Sequence, residues 1–354
     1  MAKPFTALQS RFQFPVAVAN PIAVIWNDTT IVLAINDERL KDIVFIYESG
    51  KWIKKKTTGI VPGNMYYHDY TAQVIEDKLY VYVVGHPYFN LRFIYCLNLR
   101  NWNWTEMTPP ELFHCNGLSS WVYKGKIYYL DQRLYTYNDS KNTWEFPQVR
   151  GEIPLLTDDA KTIINDDTVF LFYGGCTNGY NEYASGNNLY TLNMETMIWT
   201  KVHGNVSTME FLHIANDMNL TLTKISQYSA ILLGESGNSM VGWLLDLQNA
   251  KQLREPSALW TKIPLCSLII KNYAAVLEPQ RQELLLIGGE ILGSNTSNVL
   301  RIPTRLPSLQ SLAIACAAQM TCFSDPKPLL HKLPLKLRNE IQAYQEEVIG
   351  QEIP

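Results

Sequence analysis

The chain has 354 residues, 47% of them hydrophobic, and a formal net charge of −3. This length can hold one large domain or two ordinary ones, and the near-neutral charge argues against a nucleic acid or an acidic membrane surface as a partner. No apolar run reaches the length that spans a membrane, and the first residues lack the apolar core of a signal peptide.

Six cysteines are scattered along the chain without any CxxC pair. This pattern favours reduced thiols over a disulfide framework, and therefore a cytoplasmic or nuclear protein. The nine Trp and 20 Tyr suit strands better than helices.

Segments of one shape recur from the N-terminus onwards: a strand, a polar turn and a second strand that opens with Trp. In three copies a Tyr precedes this Trp by nine residues, and the last copy has a longer connection. The segments are FIYESGKW (45–52), FIYCLNLRNWNW (93–104), RLYTYNDSKNTW (133–144), NLYTLNMETMIW (188–199) and GWLLDLQNAKQLREPSALW (242–260).

An apolar strand lies upstream of each copy, and another strand precedes it. The apolar strands are TTIVLAIND (29–37), KLYVYVVGH (78–86), KIYYLDQ (126–132), TVFLFYGGC (168–176), YSAILLGES (228–236) and ELLLIGGE (283–290). The unit of four strands is about 50 residues long, which is the period of a kelch blade. Gly-Gly pairs at 174–175 and 288–289 indicate close backbone packing.

A single four-stranded sheet cannot cover both of its faces, so the units must stack around an axis. Residues 1–305 are therefore predicted to form an all-β, six-bladed kelch-type β-propeller. The sixth unit has NVLRIP (298–303) as its third strand and lacks a strand opened by Trp. We expect the N-terminal segment FTALQSRFQF (5–14) to supply the fourth strand, which would close the ring and remove an open sheet edge.

The sequence carries no catalytic or cofactor-binding motif. Its six histidines form no HxH or HxxxH pair, and it has neither a glycine-rich phosphate loop nor a GxSxG elbow. A propeller enzyme with a site assembled from several blades stays open as an alternative. The expectation is a non-catalytic protein without metal or cofactor.

Beyond residue 305 the pattern changes to two short amphipathic helices, which set residues 306–354 apart as a helical tail. Ser308 can cap the first helix. Its apolar stripe consists of Leu309, Leu312, Cys316, Met320 and Phe323. The stripe of the second helix consists of Leu333, Leu337, Ile341, Tyr344 and Val348. Such faces commonly mark partner sites, although the helices could also pack on the propeller or on each other.

The first stripe resembles the BC-box, the helix by which substrate receptors dock on Elongin C. The segment LPLKLRNEI (333–341) resembles a Cul2-box, and the lack of a second Pro favours Cullin-2 over Cullin-5. The resemblance implies Elongin C contacts through Leu309, Leu312, Cys316 and Met320. It implies cullin contacts through Leu333, Pro334, Leu337 and Ile341.

With its six kelch units and these two boxes, the chain resembles the kelch-domain-containing substrate receptors of cullin-2 RING ubiquitin ligases, the type that reads C-terminal degrons. The resemblance implies an adaptor whose tail recruits Elongin B/C, Cullin-2 and a RING subunit while the propeller binds a protein or peptide substrate. Members that bind a C-terminal glycine hold it with arginines in the loop that corresponds to 176–188. That loop has no Arg or Lys here, so glycine recognition is not implied.

We expect the substrate at the propeller face formed by the loops between blades, in a pocket of aromatic and basic side chains. The candidates are Tyr67, Arg133, Tyr183, Lys271 and Tyr273. Lys271 occupies the place of an Arg in the family, and a Lys holds a carboxylate as a point charge rather than as a fork. Arg133 directly follows a second strand, so it could also be an ordinary exposed charge.

The alternative to a ligase adaptor is a kelch scaffold for a cytoskeletal or signalling partner, in which the tail only completes the fold. Binding of Elongin C separates these two functions, because only an adaptor requires it.

Overall fold

The structure is a computed structural model, and part of the chain is described in it. The described residues are 8–18, 20–34, 40–48, 50–62, 70–84, 92–109, 119–130, 133–139, 141–154, 160–173, 177–178, 182–183, 188–202, 220–236, 239–251, 260–264, 270, 272–291 and 294–304. A boundary between two units of the chain falls between Ile302 and Pro303. The predicted helical tail, 306–354, lies outside the described residues.

Sheets with a core of four antiparallel strands follow one another along the chain, and each forms one blade. The first strand, β1 (Leu8–Val18), belongs to the last blade. Blade 1 contains β2 (Ile22–Trp26), β3 (Thr29–Leu33), β4 (Ile43–Glu48) and β5 (Lys51–Lys56). Blade 2 contains β6 (Thr58–Gly59), β7 (Tyr70–Ile75), β8 (Lys78–Val84), β9 (Arg92–Asn98) and β10 (Asn103–Met107). Blade 3 contains β11 (Ser119–Tyr123), β12 (Lys126–Leu130), β13 (Leu134–Asn138) and β14 (Thr143–Glu145).

Blades 4 to 6 have the same plan with additional short elements. Blade 4 contains β15 (Arg150–Gly151), β16 (Lys161–Asn165), β17 (Thr168–Tyr173), the separate hairpin of β18 (Thr177–Asn178) and β19 (Glu182–Tyr183), β20 (Asn188–Asn193) and β21 (Ile198–Val202). Blade 5 contains β22 (Thr221–Lys224), β23 (Ser229–Ser236), β24 (Ser239–Asp246), the helix α1 (Leu247–Lys251) and β25 (Trp260–Pro264). Blade 6 contains β26 (Ala274–Glu278), β27 (Glu283–Ile287), β28 (Glu290–Ile291) and β29 (Ser294–Pro303).

The inner strands of the blades close into a ring. Strands β2, β7, β11, β16, β22 and β26 contact one another in this order, and β26 contacts β2 again. The predicted all-β, six-bladed propeller is therefore confirmed. The predicted closure is confirmed as well, because β1 pairs antiparallel with β29 and becomes the outermost strand of blade 6.

The recurrent Trp owes its position to a side-chain-capped turn. In blades 2 and 4 the last residue of the third strand, Asn98 or Asn193, accepts hydrogen bonds through Oδ1 from backbone N–H groups two and three residues further on, at 2.9–3.2 Å. Asn favours such local turns because its side chain replaces a backbone acceptor. Trp104 and Trp199 follow these residues and are each 1% exposed. In blade 5 Asp246 caps in the same way, and α1 follows it.

Apolar side chains fill the spaces between the blades. In the described part, one cluster of buried residues lies at each of the six interfaces between neighbouring blades. At the closing interface, Phe14 of β1 contacts Phe45 and Trp52 of blade 1, with ring centroids 4.6 and 4.9 Å apart. Burial of apolar surface between blades is thus what holds the ring together.

Two glycines allow a short strand to pair with the outer strand of blade 2 and of blade 4. Strands β6 and β15 pair in parallel with β10 and β21. At Gly59 an added Cβ would lie 2.2 Å from the carbonyl oxygen of Trp104, and at Gly151 it would lie 2.2 Å from that of Trp199. Both also have positive φ, 85° and 86°, so each position requires glycine.

The Gly288–Gly289 pair makes the close backbone approach that the sequence predicted. Gly289 N–H donates to the carbonyl oxygen of Val18 at 2.7 Å. A Cβ on Gly288 would come within 2.9 Å of the same oxygen. The pair therefore packs blade 6 against the segment that leads from β1 to β2. Gly174 and Gly175 lie outside the described residues.

Candidate functional site

One face of the propeller collects most of the long connections. In every blade the first strand begins, and the antiparallel second strand ends, at the same side. Connections between blades and connections from second to third strand therefore open on this side, which we call the entry face. The predicted substrate residues all belong to such connections or border them in the sequence.

A cavity of about 340 Å³ opens between the starts of the inner strands, within the usual size range of ligand pockets. We call it the mouth. It is lined by Asn20, Pro21, Ile22, Ala23, Tyr70, Thr71, Ala72, Lys161, Leu220, Thr221, Leu222, Thr223, Asn272, Tyr273, Ala274 and Ala275. Its wall thus combines apolar strand residues with hydroxyl and amide groups.

A hydrogen bond holds one tyrosine of the mouth in place, and burial holds the other. Tyr70 Oη donates to the carbonyl oxygen of Pro21 at 2.9 Å. Tyr273 is 8% exposed, and its hydroxyl shares a bond with Thr221 Oγ1 at 3.4 Å. The phenol groups therefore form a fixed wall with defined polar points, rather than a mobile rim.

Lys161 is the one charged residue among those described as lining the mouth. It opens β16 and is partly buried. In the described part of the chain no ion pair or hydrogen bond of its Nζ is present. The wall of the mouth therefore presents a cation to whatever enters it.

A second cavity of about 380 Å³ continues along the axis, and we call it the waist. It is lined by Val24, Ile25, Ala72, Gln73, Val74, Ser120, Trp121, Val122, Thr162, Ile163, Ile164 and Lys224. Gln73 Nε2 donates to Ser120 O at 2.9 Å and Thr162 Oγ1 donates to the same oxygen at 3.2 Å. Ser120 Oγ also bonds to Thr71, so a polar belt ties blades 2, 3 and 4 together across the channel.

The predicted substrate residues have different outcomes. Tyr273 is among the residues that line the mouth. Arg133 lies between β12 and β13 at the entry face and is exposed, but it is not among the residues that line the mouth or the waist. Tyr183 lies in β19, where only its backbone is described, and Tyr67 and Lys271 lie outside the described residues. The substrate contacts predicted for all five residues stay predictions.

Lys161 was missed from the sequence. The repeat analysis followed Trp, Tyr and the apolar second strands, whereas Lys161 belongs to an inner strand. The available signal was a charged residue at the start of the inner strand of blade 4, where the other blades have Ile22, Tyr70, Ser119, Thr221 and Ala274.

The eight residues predicted to contact Elongin C and the cullin all lie outside the described part of the chain.

A second polar cluster lies between blades 2 and 3, built on Lys78, Tyr80, Cys96 and Asp139. Lys78 Nζ and Tyr80 Oη donate to the carboxylate of Asp139 at 2.8 and 2.7 Å. Burial acts to raise the pKa of Asp139, but the hydrogen bonds from Lys78 and Tyr80 outweigh it, and the pKa is lowered. Burial raises the pKa of the Cys96 thiol to about 11. This cluster joins two blades and holds a protonated thiol, which is not a nucleophile at neutral pH.

Among the described residues, no group of three or more His, Cys, Asp or Glu could hold a metal ion. All six histidines lie outside the described part. Within that part, no helix has the length and the apolar character required to cross a membrane.

Comparison with known proteins agrees with the fold. No protein-family model matches the chain. Two acyl-CoA-binding domain-containing proteins of Arabidopsis thaliana, numbers 5 and 4, are each 22% identical to it, over 182 and 173 residues. These matches cover 46% and 43% of this chain, which spans only about a quarter of either relative, 27% and 25%. Among solved structures, that of YjhT, a kelch-like propeller, superposes with a TM-score of 0.58 at 15% identity, covering 83% of this chain and 97% of that chain. The chain is therefore similar to kelch-type six-bladed β-propellers in fold.

Proposed function

We propose that the protein is a non-catalytic interaction module that serves as the substrate receptor of a cullin-2–Elongin B/C RING ubiquitin ligase. The observation that carries the first part is the mouth. Fixed tyrosines, hydroxyl groups and one lysine converge there on an open cavity of about 340 Å³, at the face where the connections between blades gather. A cavity with a few convergent polar groups in an apolar wall suits the capture of a protein segment.

The tail supports the second part of the proposal. In the sequence, Leu309, Leu312, Cys316 and Met320 have the spacing of a BC-box, and Leu333, Pro334, Leu337 and Ile341 have that of a Cul2-box. The two boxes occur in the order and at the short separation that a receptor of this class requires. We infer that the first docks on Elongin C of the Elongin B/C pair, that the second selects Cullin-2 with its RING subunit, and that the propeller presents a degron.

Capture of purified Elongin B/C by the full chain tests the proposal. Wild type is expected to retain the pair, and Leu312→Ala is expected to bind it about tenfold more weakly or worse, because burying a Leu side chain contributes roughly 1.5–3 kcal/mol. Gln310→Ala is the matched control, since this residue lies off the apolar stripe. Equal capture by wild type and Leu312→Ala, with the propeller folded in both, would sink the BC-box assignment.

Failure of wild type to capture Elongin B/C would favour the kelch scaffold for a cytoskeletal or signalling partner.

Cullin choice is measured separately. Pro334→Ala combined with Leu337→Ala is expected to retain Elongin B/C while losing Cullin-2. Recovery of Cullin-5 alone by the wild type would contradict the Cul2-box.

A further inference from the structure

We propose that β5, the outermost strand of blade 1, is a docking edge for an acidic, extended segment of a partner protein, which adds to the sheet as a further strand. This edge lies at the outside of the propeller and is separate from the mouth and the waist. The inference goes beyond the proposed ligase role and does not depend on it.

Strand β5 concentrates positive charge. Its sequence is KWIKKK, and the four lysines, Lys51, Lys54, Lys55 and Lys56, are all exposed. The fourth strands of the other blades, β1, β10, β14, β21 and β25, contain at most one Lys or Arg each. The chain as a whole has 33 acidic and 30 basic residues. The charge of β5 is therefore a local feature that the composition does not explain.

Neighbouring carboxylates neutralise little of this charge. Lys56 Nζ lies 3.6 Å from the carboxylate of Asp42, but the lysine side chain is 81% exposed, so this pair contributes little to stability. Lys51, Lys54 and Lys55 form no ion pair with any described residue. Carboxylates on an added strand would lie directly across from these ammonium groups, and such cross-strand pairs of opposite charge are stabilising.

The lysines reach both faces of blade 1. Lys54 Nζ lies 5.8 Å from the ring centre of Phe45, which belongs to the interface with blade 6. Lys55 Nζ lies 5.9 Å from the ring centre of Trp102, which belongs to the interface with blade 2. Successive side chains of a strand point to opposite faces, so a strand beside β5 meets cations on both of its own faces. Acidic residues at consecutive positions therefore suit this edge.

Strand β5 also ends its sheet. The strand order in blade 1 is β2-β3-β4-β5, and no further described strand pairs with β5. Blades 2 and 4 show that the outer strand of a blade can accept another one, since β6 pairs with β10 and β15 pairs with β21. The backbone of an extended protein segment can form such a ladder. A lipid headgroup or a nucleic acid cannot, so the edge favours a protein partner.

Protection against self-association does not account for the charge. Lysines on an edge strand do repel a second copy of the same strand. However, β14 and β25 also end their sheets in the described part, with no lysine and with one lysine. Edges of this propeller are thus compatible with few lysines. A row of four both repels a copy of itself and selects a strand of opposite charge.

Binding of peptide pools by the full chain tests the inference. The pools consist of decapeptides with acetylated and amidated ends, so that no chain end is charged. The first pool contains Glu, Val and Thr, and the second has Gln in place of Glu. The third has Pro in place of Val and Thr, which keeps the charge but prevents strand pairing. Wild type is expected to bind the first pool about tenfold or more tightly than the other two, and this preference should shrink as salt screens the charges.

A fourfold variant removes the charge from β5. Replacement of its four lysines by Gln is expected to weaken binding of the first pool about tenfold or more, and replacement by Arg is expected to retain it. The matched control removes the same charge from other lysines of the propeller and is expected to bind as wild type does. It consists of Lys124→Gln, Lys126→Gln, Lys141→Gln and Lys251→Gln, on blades 3 and 5.

Four results would overturn the inference. They are equal binding of the first and third pools, binding of no pool, unchanged binding in the Gln variant of β5, and binding of phosphatidylserine vesicles without preference among the pools. The first would show attraction without strand addition, and the last would assign β5 to a membrane surface. Circular dichroism checks that both fourfold variants are folded, and the preference of wild type among the pools tests strand addition without any variant.

Discussion

Replacement of Phe14 by Ala tests whether the N-terminal strand closes the ring. Phe14 is 1% exposed and contacts the rings of Phe45 and Trp52 across the interface between blades 6 and 1. Removal of a fully buried Phe side chain costs about 3–5 kcal/mol, because transfer free energy is lost and a cavity remains. That is a large part of the roughly 5–15 kcal/mol by which folded proteins are stable.

Urea unfolding followed by tryptophan fluorescence measures this loss. With a denaturant dependence of about 3 kcal/mol per M, the midpoint is expected to fall by about 1–1.7 M at unchanged slope. Phe146→Ala is the matched control, since this residue is 48% exposed on blade 3 and should change the stability by about 0.5 kcal/mol or less. If the two substitutions cost the same, β1 does not hold the ring closed, and the reasoning is refuted.

Three further predictions concern other parts of the propeller. Gly59→Ala should lose about 2 kcal/mol more stability than Gly125→Ala. Both glycines have positive φ, but of these two only Gly59 would bring the added Cβ against a carbonyl oxygen. Equal losses of stability in urea unfolding would contradict this prediction. Burial raises the pKa of the Cys96 thiol to about 11, so this thiol should resist iodoacetamide at neutral pH in the native protein and react in urea. Mass spectrometry of the peptide that contains Cys96 measures the labelling. Rapid labelling of the native protein would show that the thiol is accessible. The pKa of Asp139 is lowered in the folded protein. The ionised carboxylate therefore stabilises the fold at pH values above its ordinary pKa, and this contribution is lost as the pH falls through the lowered pKa. On acidification, Asp139→Asn should accordingly lose less stability than wild type.

The propeller could be predicted from the sequence because its repeat is local. A Tyr–Trp spacing of nine residues survives in three units, and an apolar strand occurs in all six, so one chain displays the period by itself. The structure adds the reason for this spacing, which is a turn capped by Asn98, Asn193 or a residue at the same place. Closure by the N-terminus followed from counting strands, since the sixth unit was one strand short.

Other features could not be predicted because they depend on contacts between distant residues. The parallel pairing of β6 with β10 joins residues 45 positions apart, such as Thr58 and Asn103. The local sequence TGIVP (58–62) does not predict this pairing. Likewise, the set of charged residues that line the mouth and the waist can be identified only when the inner strands of different blades are brought together. Lys161 is an ordinary residue in the sequence, but among the described residues that line the mouth it is the one that carries a charge.

The most direct measurement of the central claim is reconstitution of the full chain with Elongin B/C and a cullin–RING pair, followed by size-exclusion chromatography with light scattering. We expect one stoichiometric complex with Elongin B/C and Cullin-2, and no complex when Cullin-5 replaces Cullin-2. Elution of the folded chain apart from Elongin B/C would contradict the account of this protein as a ubiquitin-ligase substrate receptor.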